Sequence, residues 1–355
     1  MKRTVFGVVT AAALAIASLA STPANAGGEL HVLNWQGYGT DEAWAVKMFE
    51  ERSGVKVVHD YFNSEQEMLT KLRTSPGTYD VVLINSAFTA AAAAEGVLQP
   101  VDSSKIANFG DLNPTLRDSP LFVVDGKLYG VAWVWGMTSV AYNTGTITER
   151  PDSIEVLWDP KYAGRVGWRD DAVESVSMAA IATGQDMNHP ADLDKVREKL
   201  MALKSQIKTF WSSEDEWNKY FAAKDFDLAV YWSGSAARSK TNSGLPVGFV
   251  VPKEGAIGWF DGLSIAKDAP NADAAHAFIN FMVEPEFYVQ WATTVGAPAS
   301  ANMKANQGLP EGDMGREIHS DEAAIERLQF MAPLSDEERA KYQELWDEAK
   351  ASFAK

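Results

Sequence analysis

An indole and a carboxylate stand two residues apart at Trp259 and Asp261, inside the segment Gly255–Ile265. Residues two apart in an extended strand project to the same side. One face of this segment would then offer a π surface and a negative charge together, which suits an organic cation. A core tryptophan beside a solvated aspartate in a turn is the alternative interpretation.

Three further aromatic residues stand where predicted strands end. Trp35 and Tyr38 follow the first predicted strand, and Trp232 follows the run Asp227–Tyr231. Ligands of open α/β sheets bind beyond the carboxyl ends of the strands. Aromatic residues at these junctions are therefore candidates for ligand contact.

Acidic residues follow another predicted strand and open a helix. Asp171 and Glu174 are three apart, so they would share a face of the first helical turn. Acids at this position also favour the helix dipole, which is a purely structural explanation. A carboxylate pair for glycoside hydrolysis is a remote third hypothesis, which would make the protein an exported hydrolase.

Other catalytic signals are missing from the sequence. The five histidines are scattered, and there is no HExxH, GxSxG, Walker A or GxGxxG motif. Cysteine is absent, which excludes a thiolate metal site and a cysteine nucleophile. We therefore expect a protein that is not an enzyme and that holds no cofactor or metal.

The charge balance points in the same direction as the aromatic and acidic residues. Formal net charge is −16 at pH 7. So acidic a surface argues against nucleic acid as a partner and is compatible with a cationic ligand.

The first residues have the pattern of a secretory signal peptide. Lys2-Arg3 precede an apolar run from Val5 to Leu19 and the small residues of Ala24-Asn25-Ala26. The run is too short to cross a bilayer. We expect residues 1–26 to be removed by cleavage after Ala26, which gives an exported protein.

The elements that carry the candidate residues alternate between strands and helices. Strand-like runs separated by helical segments lie at Glu29–Asn34, Val55–His59 and Asp80–Ile84. This spacing predicts right-handed βαβ units on a parallel sheet. A second α/β set follows, and β-rich runs that could cross between the sets lie at Val134–Asn143 and Asp261–Ile265. The chain is expected to end in two acidic helices, Asp321–Met331 and Asp336–Phe353.

Five stretches carry a resemblance to a known family: NWQGY, YDVVL, WDPKYAGRVGWRDDAVES, YWSGSA and VPKEGAIGWFDGLSIAKDAPNADAAHAFINFMVEP. In this order, and over essentially the whole mature chain, they resemble the periplasmic spermidine/putrescine-binding proteins of ABC importers. The resemblance implies an α/β type II periplasmic-binding-protein fold, with two lobes joined by crossover strands and the ligand in the cleft between them. Lobe 1 would comprise residues 27–136 and 262–300, and lobe 2 residues 137–261 and 301–355.

The resemblance also implies a ligand, partners and site residues. The chain would be a periplasmic monomer that delivers a polyamine to an ABC permease of the inner membrane. Aromatic walls would pack the methylene chain, and carboxylates would take the ammonium groups. The implied ligand-binding residues are Trp35, Tyr38, Ser86, Phe88, Asp171, Glu174, Trp232, Trp259 and Asp261.

Four positions depart from the family pattern. Gly37 stands where the polyamine binders usually carry an acid, Ala87 replaces an aromatic residue, and Ala297 often corresponds to a tyrosine. Arg169 adds a positive charge beside Asp170. An acid lost and a cation gained would suit a shorter amine, or a zwitterion such as an amino acid or an opine-like solute. The polyamine is the first hypothesis, and the zwitterion on the same fold is the alternative.

Overall fold

The computed structural model describes residues 28–353. The signal peptide expected at residues 1–26 lies outside the described residues. The β-strands are Glu29–Asn34, Lys56–Tyr61, Val81–Asn85, Leu98–Gln99, Val123–Val124, Lys127–Leu128, Val131–Asn143, Val166–Arg169, Ile207–Trp211, Leu228–Trp232, Val247–Val250, Ala256–Ala266, Ala299–Ser300 and Leu328–Phe330.

The helices follow most of these strands. The α-helices are Ala43–Ser53, Glu65–Thr74, Ser86–Ala94, Pro114–Arg117, Ala172–Ala182, Leu193–Met201, Glu214–Ala222, Ser233–Thr241, Ala272–Met282, Pro285–Thr294, Met303–Gln307, Met314–His319, Glu322–Glu326 and Asp336–Phe353. Short 3₁₀ helices lie at Ser103–Lys105, Phe109–Asp111, Pro120–Phe122, Ile154–Trp158, Pro160–Tyr162 and Ala202–Ser205. Between residues 28 and 353, no helix is both long and apolar enough to cross a membrane.

Three strands near the N-terminus form a parallel group, which we call the first set. Glu29–Asn34 pairs in parallel with Lys56–Tyr61 on one side and with Val81–Asn85 on the other. Residues 81–84 are fully buried, as expected for the continuous apolar run of a strand that is covered on both faces. The βαβ units predicted from the sequence are confirmed.

A second parallel group, the second set, is built from later residues. Val166–Arg169 pairs in parallel with Ile207–Trp211 and with Leu228–Trp232. The helix Ala172–Ala182 follows the first of these strands, and residues 175–181 of that helix are all buried. The strand ends of this set therefore carry Arg169 and Trp232.

Two long antiparallel strands join the sets into one sheet. We call Val131–Asn143 the first crossing strand and Ala256–Ala266 the second crossing strand. The second crossing strand also pairs with Val81–Asn85 of the first set. The first crossing strand also pairs with Leu228–Trp232 of the second set. The two predicted crossings are thus confirmed as strands, while the lobe bounds given above stay a prediction.

The C-terminal residues pack mainly on the second set. The helix Asp336–Phe353 lies against Ala172–Ala182 and Leu193–Met201. Its Trp346 is buried and donates a hydrogen bond from Nε1 to Asp170 Oδ1 at 2.7 Å. The predicted helix Asp336–Phe353 is therefore confirmed with the same bounds.

The other predicted C-terminal helix, Asp321–Met331, is wrong. A short helix covers only Glu322–Glu326, and Leu328–Phe330 is a strand that pairs in parallel with the second crossing strand. The pairing is possible because Gly258 leaves room for the ring of Phe330. A Cβ at position 258 would lie 2.8 Å from that ring. A tertiary contact decides this segment, and local helix propensity does not.

Candidate functional site

One face of the crossing strands carries several of the predicted residues. Asp261 and Trp259 are two apart on the second crossing strand, and Trp259 lies opposite Gly136 of the first. Thr138 is two residues beyond Gly136, and Trp232 of the second set lies opposite Thr138. Opposed residues of antiparallel strands project to the same face. Asp261, Trp259, Thr138 and Trp232 therefore follow one another along a single face, which we call the binding face.

Trp259 lies directly over a glycine at the middle of the binding face. A Cβ at position 136 would approach the ring of Trp259 to 2.4 Å. Because Gly136 has no side chain, the indole of Trp259 lies directly against the backbone of the first crossing strand. Trp259 stays partly exposed, so the indole offers a π surface between Asp261 and Thr138.

Asp261 is held by two hydrogen bonds from the first set. Tyr38 donates from Oη to Asp261 Oδ2 at 2.9 Å, and Asn85 donates from Nδ2 to Asp261 Oδ1 at 2.9 Å. Asp261 is only 8% exposed. Burial raises the pKa of this carboxyl to about 6, although both hydrogen bonds act to lower it. The predicted pair of Tyr38 and Asp261 is thus brought together.

Tyr38 is fixed as a donor by its surroundings. Its ring packs edge-on against Trp133 and Trp291, with centroid distances of 5.7 and 6.1 Å. Burial, followed by the charge of Asp261, raises the pKa of Tyr38 well above its ordinary value. The phenol therefore keeps its proton and donates a hydrogen bond to Asp261.

Glu65, which the sequence analysis missed, lies beside Asp261. Its Oε1 accepts a weak hydrogen bond from the backbone N–H of Asn85 at 3.4 Å. Its Oε2 is shielded from solvent and has no hydrogen-bond partner among the described residues. Burial and the charge of Asp261 raise the pKa of Glu65 to about 8. We call Tyr38, Glu65, Asn85 and Asp261 the Asp261 cluster.

The signal that could have found Glu65 is its position after the strand Lys56–Tyr61 of the first set. That place is at the same sheet edge as Tyr38 and Asn85. Glu65 is also the first residue of a helix whose N-cap is Ser64. The helix dipole alone explains an acid in a first helical turn. The helix-start pattern alone therefore gives no reason to expect Glu65 beside Asp261.

A second cluster forms around Glu174. Arg169 Nη1 lies 2.5 Å from Glu174 Oε1, and Trp232 donates from Nε1 to the same oxygen at 3.2 Å. The guanidinium of Arg169 also lies 4.7 Å from the centroid of the Trp232 ring. Thr138 Oγ1 is 3.5 Å from Glu174 Oε1. We call Thr138, Arg169, Glu174 and Trp232 the Glu174 cluster.

Glu174 keeps one oxygen without a partner. Its side chain is 11% exposed, and Oε2 has no hydrogen-bond partner among the described residues. Burial raises the pKa of Glu174, and the charge of Arg169 opposes that rise. The carboxyl therefore has one side filled by Arg169 and Trp232 and another side open to a further donor.

Asp171 has a structural position in the fold. Its Oδ1 accepts a hydrogen bond from the backbone N–H of Glu174 at 2.9 Å, which caps the helix Ala172–Ala182. Its Oδ2 lies 3.6 Å from Arg169 Nη1. Asp171 thus orients Glu174 and Arg169, as an N-cap residue would. With Asp171 capping a helix and Glu174 bound by Arg169, the two do not form a free carboxylate pair for glycoside hydrolysis.

The remaining predicted residues lie around the Asp261 cluster or further away. Trp35 belongs to the same turn as Tyr38, and its ring packs on Phe62 at 4.6 Å between centroids. Ser86 follows Asn85, is 1% exposed, and its Oγ has no partner among the described residues. Phe88 lies beneath the guanidinium of Arg339 at 5.7 Å. That contact directs Phe88 to the C-terminal helix.

Gly37, where the resemblance implies an acid, lies in the same turn as Tyr38. Gly37 has φ of +72° and donates its backbone N–H to Asp41 Oδ2 at 2.8 Å. The left-handed conformation suits glycine there. No acid is supplied at this position, and Glu65 is the additional carboxyl that the structure places near Asp261.

Two cavities have linings that contain none of the residues of the binding face. A cavity of about 340 Å³ is lined by residues that include Arg238, Tyr288 and Gly296. Another, of about 300 Å³, is lined by residues that include Tyr142, Lys240 and Glu317. Neither lining contains a predicted site residue. We place the site where carboxyls and aromatic rings converge, because convergent polar groups rather than open volume distinguish a binding site.

The chemistry that this arrangement supports is the binding of an organic cation. Two buried carboxyls stand at the ends of one face, with the indole of Trp259 between them. A group of three side chains suited to a metal ion is not found among residues 28–353. A buried ammonium needs a charged partner, and a methylene chain packs on an aromatic surface.

Comparisons with known proteins point to one family. The sequence profile described as bacterial extracellular solute-binding protein matches residues 44–322. The spermidine/putrescine-binding periplasmic protein of Salmonella typhimurium is 29% identical over 356 residues, which cover 99% of this chain and 99% of that protein. The putrescine-binding periplasmic protein PotF of Escherichia coli is 26% identical over 346 residues, with 88% and 91% covered.

A solved structure agrees with these relatives. The spermidine/putrescine ABC transporter substrate-binding protein PotD from Streptococcus pneumoniae superposes with a TM-score of 0.82. The two chains are 26% identical, and the match covers 92% of this chain and 99% of that one.

Proposed function

Since the chain belongs to the bacterial extracellular solute-binding proteins, we propose that it binds a polyamine and delivers it to an ABC importer. Putrescine and spermidine are the candidate ligands, because relatives named for binding them match nearly the whole chain. The type II periplasmic-binding-protein fold is shared with the solved relative. Family and fold together support a ligand-binding role for the binding face.

One observation carries the proposal: buried carboxyls stand at both ends of the binding face. Asp261 lies at one end and Glu174 at the other, with Trp259 between them. An ammonium at each end would form charge-assisted hydrogen bonds with a carboxylate. The methylene chain would pack on the indole, which adds a cation–π attraction. A diamine therefore matches the site in charge and in shape.

The other residues of the site support these contacts. Tyr38 and Asn85 orient Asp261 through their hydrogen bonds. Trp232 would form the wall of the Glu174 end, and Asp171 would act by holding the helix that carries Glu174. Ser86 has an unpartnered hydroxyl next to Asn85, so it would meet the ligand at the Asp261 end.

Two predicted residues keep a weaker assignment. Trp35 is proposed as a ligand contact because it shares a turn with Tyr38. Phe88 is retained because the resemblance implies aromatic residues just after the strand Val81–Asn85. Neither residue is a hydrogen-bond partner of Asp261 or Glu174 among residues 28–353, so their contact with the ligand rests on the resemblance.

A second candidate ligand is favoured by the position of Arg169. Its guanidinium pairs with Glu174 and lies over the ring of Trp232. These are the contacts that a ligand ammonium would otherwise make. A zwitterionic amine, such as 4-aminobutyrate, would place its ammonium at Asp261 and its carboxylate on Arg169.

A thermal-shift panel followed by calorimetry tests the proposal. The panel contains putrescine, spermidine, 4-aminobutyrate, basic amino acids and a sugar. We expect putrescine or spermidine to give the largest rise in melting temperature, because a ligand that binds only the folded state stabilises it. A rise with 4-aminobutyrate alone would select the second candidate, and a panel without any amine response would overturn the function.

The cellular setting follows from the same proposal. The chain would be exported, cleaved after Ala26, and active as a periplasmic monomer together with an inner-membrane permease. No catalytic activity and no nucleic-acid partner are assigned to it. Mass spectrometry of protein purified from the periplasm would locate the cleavage site, and a mature N-terminus other than Gly27 would contradict that position.

A further inference from the structure

Glu65 has a buried carboxyl oxygen with nothing to bind in the described structure. Its Oε2 is shielded from solvent and lacks a partner among residues 28–353, while Oε1 makes only the 3.4 Å contact with the backbone N–H of Asn85. Buried polar atoms are nearly always hydrogen-bonded, and an orphaned one is unfavourable. The folded protein therefore holds the carboxyl of Glu65 in a position where its Oε2 has no hydrogen-bond donor among the described residues.

Asn85 holds this carboxyl next to Asp261. Its backbone N–H reaches Glu65, and its side-chain amide donates to Asp261 Oδ1. Burial, followed by the charge of Asp261, raises the pKa of Glu65. Ser86, the next residue, has a second buried polar atom without a partner. Asn85 thus links Glu65 to Asp261, and Glu65 and the neighbouring Ser86 each keep an oxygen without a partner among the described residues.

Three acceptors are what one primary ammonium group requires. Such a group has three N–H donors in a roughly tetrahedral arrangement. Two adjacent carboxyls repel each other when both are ionised, and a cation between them removes that repulsion. An ammonium between Asp261 and Glu65 would therefore find two carboxyl groups to accept its N–H donors.

We propose that Glu65 is the second carboxylate of the ammonium subsite at Asp261, and that the ligand ammonium lies between the two. This inference rests on the proposed amine-binding function. It assigns to Glu65 a direct contact with the ligand and makes it a determinant of affinity for primary amines. The same contact applies to putrescine, spermidine and 4-aminobutyrate, since each ends in a primary ammonium.

Ligand binding should also change the protonation of Glu65. The charged group that acts on Glu65 is Asp261, while the charge of Glu65 helps to raise the pKa of Tyr38, which stays neutral. With a pKa of about 8, Glu65 carries a proton in the unliganded protein at pH 7. An ammonium beside it favours the carboxylate. Binding therefore breaks the O–H bond of Glu65, and the proton passes to the buffer while the ligand keeps its charge.

Titration calorimetry of the full mature chain with putrescine at pH 7 tests this. Titrations in two buffers with different ionisation enthalpies give the number of protons released per ligand. We expect the parent to release close to one proton, and Glu65→Gln to release clearly fewer. Glu65→Gln should also bind about 30-fold or more weakly, the lower end for truncating a buried charge pair. If 4-aminobutyrate proves to be the better ligand in the panel, it replaces putrescine as the probe.

A matched control lies on the same helix. Glu67 has its Oε2 on the backbone N–H of Asn63 at 2.9 Å and is partly exposed. Glu67→Gln should therefore bind and release protons like the parent. Glu65→Asp keeps the charge at shorter reach and should retain proton release with an intermediate affinity. Because Glu65→Gln mimics the protonated carboxyl, its circular dichroism spectrum should match that of the parent.

The outcomes separate this inference from the function on which it rests. If the parent binds putrescine and Glu65→Gln equals it in affinity and in proton release, the inference is overturned and the proposed function stands. A parent that binds none of the amines in the panel overturns both. Equal losses in Glu67→Gln and Glu65→Gln would show a general effect of the helix and would also overturn the role of Glu65.

Discussion

At the residue scale, Asp261 has the most direct test. Asp261→Asn keeps the shape of the side chain and removes its charge. We expect the affinity for putrescine to fall by about 2–5 kcal/mol, as for the loss of one partner of a buried charge pair. Isothermal titration calorimetry measures this, with Asp273→Asn as the control, since Asp273 is 88% exposed on the surface of a helix. Parent-like affinity in Asp261→Asn would remove Asp261 from the site.

The dependence of stability on pH tests the buried carboxyls without a ligand. The pKa of Glu65 is about 8 and that of Asp261 about 6, both above the values of exposed carboxyls. A carboxyl whose pKa is raised in the folded state stabilises the fold fully below about pH 4. This contribution is lost as the pH rises through about 6 for Asp261 and about 8 for Glu65. We expect the melting temperature of the parent to fall more between pH 5 and pH 8.5 than that of Glu65→Gln.

The change in melting temperature with pH must be compared between the parent and Glu65→Gln, because other groups of the protein titrate as well. Burial lowers the pKa of His319 to about 3. Its contribution is therefore complete above about pH 6.5 and is lost as the pH falls, which is the opposite direction. His319 is common to both proteins, so it cancels in the difference. Parallel melting curves for the parent and Glu65→Gln would contradict the raised pKa of Glu65.

Arg169 decides between the two candidate ligands. Arg169→Ala removes the cation that now pairs with Glu174 and lies over Trp232. We expect putrescine to bind at least as tightly as to the parent, because a like charge is gone. 4-Aminobutyrate should lose affinity, because its carboxylate loses its partner. Calorimetry with both ligands measures this, and Arg73→Ala, at an exposed ion pair, is the control. Weaker putrescine binding would count against the polyamine.

Single residues also show what a sequence reveals about a site. The spacing of Trp259 and Asp261 was sufficient to predict a shared face, because side chains two apart in a strand project to the same side and the pairing with the first crossing strand stays regular from Ile257 to Asp261. Asp171 and Glu174 looked equivalent in the sequence, yet one caps a helix and the other meets Arg169. Glu65 follows a strand of the first set, but this position alone does not indicate Asp261 as its neighbour, since that depends on the pairing of strands far apart in the chain.

At the element scale, the first crossing strand approaches the ring of Trp259 closely at Gly136. A substitution of this glycine tests that contact. Gly136→Ala places a methyl group 2.4 Å from the present position of the indole. The indole must move, at a cost of about 1–3 kcal/mol in the free energy of unfolding. Putrescine affinity should fall as well, because the platform is displaced. Urea unfolding and calorimetry measure the two effects.

The control for this substitution is a glycine in open space. A Cβ at Gly110 meets no atom within 4 Å, so Gly110→Ala should match the parent in both measurements. If Gly136→Ala also matches the parent, the ring of Trp259 does not depend on that glycine. Parent-like affinity with reduced stability would place Trp259 outside the ligand contacts.

Elements were predictable where a pattern is local. The apolar run of Val81–Asn85 and the amphipathic helix at the C-terminus have the strand and helix character that the sequence indicates. Leu328–Phe330 does not, because its strand forms only where Gly258 admits the ring of Phe330. Sequence pattern could not supply that partner. Errors of this kind arise at the edges of the sheet, where pairing is decided by the rest of the fold.

At the scale of the whole molecule, the two-set architecture followed from the resemblance together with the two β-rich crossings. The TM-score of 0.82 to a solved binding protein confirms the fold. The order of strands in the joined sheet could not be obtained from periodicity. It depends on the crossing strands pairing with each other and with one set apiece.

The position of the two clusters predicts a closure of the molecule around its ligand. Tyr38, Glu65 and Asn85 come from the first set, whereas Arg169 and Trp232 come from the second. A diamine that touches both clusters favours the arrangement in which they are near each other, by its differential affinity for that state. Small-angle scattering of the mature chain, for which a radius of gyration of about 20 Å is expected from its length, should show a decrease on saturation with putrescine.

Asp261→Asn is the control for the scattering experiment. Asp261→Asn, at a putrescine concentration that saturates the parent but lies far below the weakened dissociation constant of the variant, should keep the unliganded radius. A ligand shifts an equilibrium only when it binds one state better, so a bound ligand that touches one set alone would leave the radius unchanged. Calorimetric saturation of the parent together with an unchanged radius would therefore restrict the site to one cluster. The Glu174 cluster would then be a structural ion pair of the second set rather than half of a binding site.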